Sequence, residues 1–270
     1  MPYLNRDQDV QLYYEVHGNG TPLILSHGYS STSEMWQGQI FSFTAAGYKL
    51  IIWDMRGHGQ TSNPEDLTQY SEAHTVADIA ALLDHVCGPG STAIVGGLSL
   101  GGYMSLAFYS QHPERVEKLL IIDTGPGFRS DKARKQWNET AYKTGGRFEE
   151  QGLTALQTGG VSAERSKASH RNAKGLALAA KGMLAQQNSA VIESLPSIGV
   201  PALIVVGSED KPFLGAAEYM AKKIPRAERV IIPGAGHAAN IDQPAAFNEA
   251  VLGFLTKGLE FLNTGVKQKL

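Results

Sequence analysis

Ser99 is the residue whose surroundings in this sequence point most clearly to chemistry. It stands in the pentapeptide GLSLG at 97–101, between an apolar run at 93–95 and a helical pattern that follows. Small residues two before and two after the serine let a strand and a helix approach closely, and they leave the serine in a sharp turn that holds its hydroxyl above the sheet. The spacing predicts that Ser99 is a nucleophile.

A serine hydroxyl is a poor nucleophile near neutral pH and needs a base to take its proton. His237 lies in a Gly-rich loop after the last predicted strand and can be that base. Asp210 follows the preceding strand and can hydrogen-bond the other imidazole nitrogen, which fixes the tautomer. The order serine, aspartate, histidine is the one that such a turn predicts. Asp123, Glu209 and Asp242 are the alternative acids.

Two backbone N–H groups are candidates for holding the negative oxygen of a tetrahedral intermediate. One belongs to Leu100, directly after the predicted nucleophile. The other belongs to Tyr29, because the tripeptide HGY at 27–29 follows a short buried strand and puts N–H groups at the end of the sheet. We expect these two donors to form an oxyanion hole.

The elements that must position these residues alternate between strand and helix. Apolar runs predict strands at 10–16, 22–26, 48–53, 93–95, 116–122, 201–207 and 228–232. Helical spacing predicts helices at 34–46, 72–86, 131–143, 163–187, 217–224 and 243–261, and one directly after Ser99. The fold class is therefore α/β, with a mostly parallel central sheet flanked by helices.

The alternation stops after the strand at 116–122. Residues 128–195 are helical and charged in pattern, so they are interpreted as a helical lid inserted into a core made of residues 1–127 and 196–270. We expect Trp36, Phe128, Trp137 and Phe213 to line the substrate pocket.

Composition excludes several function classes. The 270 residues include 42% apolar and 19% charged residues, with a formal net charge of −2, so no basic field exists to attract nucleic acid or an anionic membrane. Cys87 is the only cysteine, which fits a reducing compartment. The N-terminus shows no signal-peptide pattern and no stretch approaches 18 apolar residues, so the expected location is the cytoplasm. The eight histidines show no spacing typical of metal ligands.

Motifs spread along nearly the whole chain carry a resemblance to a known family. They are HGY at 27–29, DMRGHGQTS at 54–62, GLSLGG at 97–102, GSED at 207–210 and GAGH at 234–237. With these motifs the sequence resembles the α/β-hydrolase superfamily, and in particular its lidded serine esterases, lactonases and cofactor-free haloperoxidases.

The resemblance implies the fold of that superfamily and a role for each matched residue. It implies Ser99, Asp210 and His237 as a catalytic triad, and Tyr29 and Leu100 as the oxyanion hole. The family's spacing between the glycine of GSED and its acid favours Asp210 over Asp123, although some relatives carry the acid at the latter place. No metal and no other cofactor is implied.

The residue types at the motifs also narrow the expected reaction. Dehalogenases and epoxide hydrolases of this fold use an aspartate as the nucleophile. This chain has Ser99 at that position, which argues against both activities. The expected activity is hydrolysis of a small carboxylic ester or lactone through an acyl-serine intermediate. Perhydrolase or haloperoxidase-like chemistry, carbon-carbon bond hydrolysis and a ligand-binding role without catalysis remain alternatives. The expected partner is the small-molecule substrate, and the expected state is a monomer or homodimer.

Overall fold

A single eight-stranded sheet organises the molecule in the computed structural model, which describes residues 2–6, 10–157 and 168–257. Its strands are β1 (Tyr3–Asn5), β2 (Gln11–His17), β3 (Thr21–Ser26), β4 (Tyr48–Trp53), β5 (Ala93–Leu98), β6 (Val116–Ile122), β7 (Ala202–Gly207) and β8 (Ala227–Ile232). They lie in the order β1-β2-β4-β3-β5-β6-β7-β8. Strands β1 and β2 pair antiparallel with their neighbours, and all pairs from β4 to β8 are parallel. The predicted mostly parallel sheet is confirmed.

Helices cover both faces of this sheet. In the described part of the chain they are α1 (Gln37–Ala45), α2 (Glu72–Cys87), α3 (Leu100–Gln111), α4 (Asp131–Gln151), α5 (Ala173–Ala179), α6 (Ala190–Ser194), α7 (Lys211–Lys223), α8 (Ala239–Asp242) and α9 (Pro244–Thr256). None of the helices among these residues is long and apolar enough to cross a membrane.

Alternation of side chains along the central strands divides the core into two layers. Ile24, Val95 and Ile121 point into the layer that holds α2, α3 and α7. Leu25 and Leu120 point into the opposite layer, against α1 and α9. Because both faces of the parallel strands are buried, these strands read as continuous apolar runs, and this is the reason the sequence identifies them.

Strand order and direction place the predicted site. The chain leaves β3, β5, β6, β7 and β8 at the same edge of the sheet, because these strands run parallel. Residues that follow those strands are therefore brought together at one edge, where open α/β sheets bind their ligands.

The described residues of the segment between β6 and β7 form several helices, and the first of these is longer than the spacing indicated. A helix was expected over 131–143, with the glycine pair 145–146 beyond its end, whereas α4 continues to Gln151. Gly145 lies inside α4 because α5 packs there: a Cβ at Gly145 would come within 2.9 Å of the Ala177 carbonyl oxygen. The predicted helix 163–187 begins at Ala173 and passes into a π turn at Ala180–Leu184; residues 163–167 lie outside the described part.

Candidate active site

The turn between β5 and α3 holds Ser99 in an unusual backbone conformation. Its φ is 55° and its ψ is −116°, in a region that a residue with a side chain rarely adopts and that costs about 1–3 kcal/mol. Glycines on either side make the turn possible. A Cβ at Gly97 would lie 2.5 Å from the Gly101 carbonyl carbon, and a Cβ at Gly101 would lie 2.2 Å from the Ser26 carbonyl oxygen. The hydroxyl therefore stands at the edge of the sheet on a turn that only this spacing of glycines allows.

Ser99, His237 and Asp210 form a continuous hydrogen-bonded chain. The Ser99 Oγ lies 3.0 Å from Nε2 of His237, and Nδ1 of the same ring lies 2.8 Å from Oδ2 of Asp210. A carboxylate accepts only, so Nδ1 carries the proton and the Nε2 lone pair faces the serine hydroxyl. Asp210 is buried, and the His237 ring stacks on Phe213 with 5.0 Å between ring centroids. The arrangement can remove a proton from the hydroxyl.

Each of the alternative acids has a different set of partners. Asp123, at the end of β6, accepts from the backbone N–H groups of Gly207 at 2.8 Å and of Ala239 at 3.0 Å. Asp242 accepts from the backbone N–H of Gly236 at 2.7 Å, and the carboxylate of Glu209 accepts from the neighbouring Ser208 hydroxyl at 3.3 Å.

Asp123 is a second buried carboxylate close to the candidate site. Burial raises its pKa to about 7, and the nearby charges of Asp210 and Asp242 act in the same direction, whereas its two N–H donors oppose the shift. Through those donors Asp123 joins the loop that carries Asp210 to the loop that carries His237. It supports the two loops, whereas Asp210 is the carboxylate that bonds Nδ1 of the imidazole.

The two predicted oxyanion donors lie on backbone next to Ser99. Leu100 is the first residue of α3, so its N–H has no acceptor within the helix. A Cβ at Gly28 would lie 3.5 Å from the Ser99 Cβ, which places the backbone before Tyr29 beside the serine. The Gly28 carbonyl accepts from Nδ1 of its neighbour His27 at 2.7 Å. Because a trans peptide points its C=O and N–H in opposite directions, the Tyr29 N–H points away from that ring.

Three buried histidines brace the loop that contains Tyr29. Nε2 of His27 accepts from the Met55 N–H at 2.9 Å, and Nε2 of His58 accepts from the Ser30 N–H at 3.1 Å. Their ring centroids lie 4.9 Å apart. Burial lowers the pKa of His27 to about 4 and lowers that of His58 well below its usual value. Both rings are neutral near pH 7 and act as fixed hydrogen-bonding groups.

The third histidine, His170, comes from the segment between β6 and β7. Its Nδ1 accepts from the Gly59 N–H at 3.0 Å, and its Nε2 donates to the Ser30 carbonyl at 3.2 Å. Burial lowers its pKa to about 4. Nearby, the Tyr29 hydroxyl donates to the Leu176 carbonyl of α5 at 2.8 Å. The helical segment is therefore tied to the candidate oxyanion loop, a connection for which the sequence gives no signal because the partners are more than a hundred residues apart.

A cavity of about 210 Å³ opens beside Ser99. It is lined by Ser99, Leu100, Tyr103, Thr124, Gly125, Pro126, Gly127, Phe128, Trp137, Leu184, Gln186, Pro212, Phe213 and Ala216. The predicted pocket residues Phe128, Trp137 and Phe213 are thus brought together with the serine.

The prediction for Trp36 is wrong. Its side chain is fully buried in the core layer that contains Phe43 and Phe247, away from the cavity. The physical reason is the short 3-10 turn Ser33–Trp36, which precedes α1 and turns the indole into the core. A tryptophan after a loop gives the same sequence signal whether it faces a core or a pocket.

Among the residues that the structure describes, no group of three or more histidine, cysteine, aspartate or glutamate side chains is arranged to hold a metal ion. The three neighbouring histidines use their ring nitrogens in the backbone hydrogen bonds given above.

Comparison with known proteins gives consistent matches over nearly the whole chain. The profile described as "Alpha/beta hydrolase family" matches residues 23–250. The 3-oxoadipate enol-lactonase 2 of Acinetobacter baylyi is 30% identical over 260 residues, covering 90% of this chain and 92% of that protein. A pimeloyl-[acyl-carrier protein] methyl ester esterase of Nitrosomonas europaea is 27% identical over 254 residues, covering 87% and 96%. A solved structure from a study of carboxylesterases of Nitrososphaera gargenis superposes with a TM-score of 0.82 at 22% identity, covering 96% and 100%.

Proposed function

The chain belongs to the α/β-hydrolase family, and on this basis we propose that it is a serine hydrolase that cleaves a small carboxylic ester or lactone. The observation that carries the proposal is the hydrogen-bonded chain from Ser99 through His237 to Asp210. The names of relatives, an enol-lactonase and a methyl ester esterase, support the same reaction class.

The first half of the proposed reaction is acylation of Ser99. Its Oγ attacks the substrate carbonyl carbon while Nε2 of His237 takes the hydroxyl proton, and Asp210 stabilises the imidazolium that forms. The N–H groups of Leu100 and Tyr29 hold the negative oxygen of the tetrahedral intermediate, each contributing about 3 kcal/mol by analogy with known oxyanion holes. When the intermediate collapses, the bond to the alcohol oxygen breaks and the imidazolium returns its proton to that oxygen.

The second half is hydrolysis of the acyl-serine. His237 takes a proton from a water molecule as the water oxygen attacks the acyl carbon, and the same two N–H groups hold the second oxyanion. Collapse breaks the bond to Oγ, the serine recovers its proton, and the carboxylic acid leaves. With a lactone the alcohol and the acid stay joined, so the product is a single hydroxy acid.

The cavity sets the expected size and polarity of the substrate. Its volume of about 210 Å³ suits a small compound, and its wall includes the aromatic side chains Phe128, Trp137 and Phe213. Apolar walls of this kind favour a substrate that is mostly uncharged. The acyl group, or the ring of a lactone, would lie against these aromatic side chains with its carbonyl at Ser99.

Hydrolysis of p-nitrophenyl esters from acetate to octanoate, beside a small lactone panel, tests the proposal. Replacing Ser99 with alanine should lower kcat on the order of 10⁶-fold, the effect of removing a nucleophile of this type. Ser110→Ala is the matched control, because Ser110 lies exposed near the end of the same helix, α3, and should leave kcat unchanged. A folded Ser99→Ala protein with wild-type turnover would overturn the proposed mechanism.

A further inference from the structure

The loop that contains Tyr29 closes as a tight turn. The Gly28 carbonyl accepts from the Ser31 N–H at 3.1 Å, so residues 28–31 form a four-residue turn. Ser30, the third residue of this turn, is buried and has a φ of 58°. Turns with positive φ at this position favour glycine there, and a residue with a side chain costs about 1–3 kcal/mol. Such a residue keeps its conformation only when contacts from its surroundings hold it.

Two histidine rings hold the backbone of Ser30. Nε2 of His58 accepts from the Ser30 N–H at 3.1 Å, and Nε2 of His170 donates to the Ser30 carbonyl at 3.2 Å. The proton of His170 is on Nε2 because Nδ1 accepts from the Gly59 N–H at 3.0 Å. His58 follows β4 in the sheet part of the chain, whereas His170 belongs to the segment between β6 and β7. That segment therefore supplies one of the two contacts that hold the strained residue.

The hydrogen bond from His170 is the first of a series that leads to the Tyr29 N–H. The Ser30 carbonyl and the Ser31 N–H belong to one trans peptide group, so they point in opposite directions. The Ser31 N–H donates to the Gly28 carbonyl, which shares its own trans peptide group with the Tyr29 N–H. Hydrogen bonds in such a series polarise one another. Two planar peptide groups thus connect the His170 ring to the candidate oxyanion donor.

The side chain of Tyr29 also contacts the segment between β6 and β7. Its hydroxyl donates to the Leu176 carbonyl of α5 at 2.8 Å, and its ring packs edge-on against Phe148 of α4, with 6.2 Å between centroids. On its other contact the ring lies edge-on to His58, with 5.6 Å between centroids. The conformation of the loop therefore depends on contacts from both parts of the chain.

We infer that His170 is a positioning residue of the oxyanion hole, through which the segment between β6 and β7 completes that hole. The inference rests on the proposed function, in which the Tyr29 N–H holds the oxyanion. By bonding the Ser30 carbonyl, His170 keeps the turn closed and the Tyr29 N–H directed at the substrate oxygen. Because that oxygen becomes negative only as the reaction proceeds, loss of the contact should lower kcat and leave KM nearly unchanged.

Three variants separate the contacts of His170. His170→Asn keeps an acceptor near the position of Nδ1 for the Gly59 N–H, but its amide is too short to reach the Ser30 carbonyl. His170→Gln extends the amide by one carbon and restores a donor to that carbonyl, and His170→Met removes both polar groups. His112→Met is the matched control, because His112 lies at the far end of α3 from Ser99.

Turnover of p-nitrophenyl butyrate measures the effect of these variants. We expect kcat to fall roughly tenfold to a hundredfold in His170→Asn and His170→Met, less than the loss of about 10²–10³-fold that follows removal of an oxyanion donor. His170→Gln should recover most of this activity, and KM should stay close to the wild-type value in all three. The control should leave both constants unchanged.

A pair of ketones separates positioning from packing. With trifluoromethyl pentyl ketone, the Ser99 Oγ bonds to the carbonyl carbon, the hydroxyl proton passes to His237, and the ketone oxygen becomes an oxyanion. Methyl pentyl ketone has the same chain but remains a ketone, so its inhibition constant reports binding in the cavity alone. In His170→Asn the inhibition constant of the trifluoromethyl ketone should rise by the factor by which kcat falls, and that of the methyl ketone should not change.

The outcomes of these assays are distinguishable. A folded His170→Asn protein with wild-type kcat would overturn the inference, and so would an equal rise of both inhibition constants. A His170→Gln protein as slow as His170→Asn would also contradict a role for the donor, and this comparison is available even if His170→Met does not fold. If the wild-type protein hydrolyses no ester or lactone, the proposed function itself fails, before any variant is compared.

Discussion

The two walls of the candidate site differ in how their polar groups are satisfied. On the wall built from loops of the sheet, Ser99, His237 and Asp210 bond to one another, and the buried Asp123 has a donor for each oxygen. On the wall to which the segment between β6 and β7 contributes, the surface is aromatic and aliphatic, and the indole N–H of Trp137 is bonded to the Leu184 carbonyl and not to another side chain of the site.

This difference suggests that one wall carries out the proposed reaction and that the other determines which substrates bind. Hydrogen bonds on the sheet side hold Ser99, His237 and Asp210 in place before a substrate arrives, and in the proposed reaction this arrangement stabilises developing charge at least cost in reorganisation. On the other side the aromatic side chains Phe128 and Trp137 offer apolar contact to the substrate. We therefore expect substitutions on the sheet side to lower kcat for every substrate and substitutions of Phe128 or Trp137 to change the ranking of substrates.

Replacing Asp210 with asparagine should have the next largest effect on kcat after removal of Ser99 or His237. The amide can no longer fix the imidazole tautomer or stabilise the imidazolium, so kcat should fall about 10⁴-fold for all esters, as it does for the orienting acid of serine proteases. Initial rates on a p-nitrophenyl ester measure the effect, with Glu209→Gln as the control on the adjacent carboxylate. Full activity in Asp210→Asn would direct attention to Asp123.

The three buried histidines predict that the protein loses stability in mild acid. The pKa values of His27 and His170 are lowered to about 4 by burial, and that of His58 is lowered as well, whereas the unfolded chain binds these protons near pH 6.5. Their contribution to the free energy of unfolding is therefore complete above pH 6.5 and is lost as the pH falls toward 4.

Urea unfolding between pH 7.5 and 4.5 measures this dependence. His170 is one of the titrating groups, and it ties the helical segment to the loop that contains Tyr29. His170→Gln should therefore make the loss of stability with falling pH less steep. The same slope in the variant and the wild type would contradict the assignment of this histidine as buried and neutral.

The buried carboxyl of Asp123 should change the free energy of unfolding with pH in the opposite direction to the three histidines, and by a smaller amount. Its pKa is raised to about 7 by burial, so its stabilising contribution is present at low pH and is lost as the pH rises through 7. Asp123→Asn should lower the free energy of unfolding by about 1–3 kcal/mol, because one of two backbone donors loses its acceptor.

The same pH titration of urea unfolding checks this prediction. The destabilisation caused by Asp123→Asn should be larger at pH 5 than at pH 8, since the neutral asparagine escapes the cost of a buried charge at the higher pH. In addition, kcat should fall far less than in Asp210→Asn, because Asp123 contacts the loops and not the imidazole. A loss of kcat equal to that of Asp210→Asn would contradict this separation of roles.

The features that could be predicted from the sequence are those whose sequence pattern lies within a few neighbouring residues. The turn at Ser99 is specified by glycines within two residues of it, and the parallel strands by continuous apolar runs, so these predictions agree with the structure. The three short loops after β5, β7 and β8 carry the serine, the aspartate and the histidine. Their order along the chain, together with the turn at Ser99, predicted that the three side chains lie close together.

Features set by packing between distant segments could not be predicted in this way. Trp36 faces the core, and α4 continues through Gly145 because α5 packs against it. The contacts of His170 with Ser30 and Gly59 join residues more than a hundred positions apart in the chain. A single sequence contains no local pattern that predicts such contacts.

Covalent labelling with an alkyl fluorophosphonate, located by peptide mass spectrometry, tests whether Ser99 is the nucleophile, because only an activated serine attacks phosphorus at a useful rate. We expect stoichiometric label on the peptide that contains Ser99, strongly slowed labelling in His237→Ala, and none at this position in Ser99→Ala. An active protein that stays unlabelled, or that carries the label on another residue, would contradict Ser99 as the nucleophile.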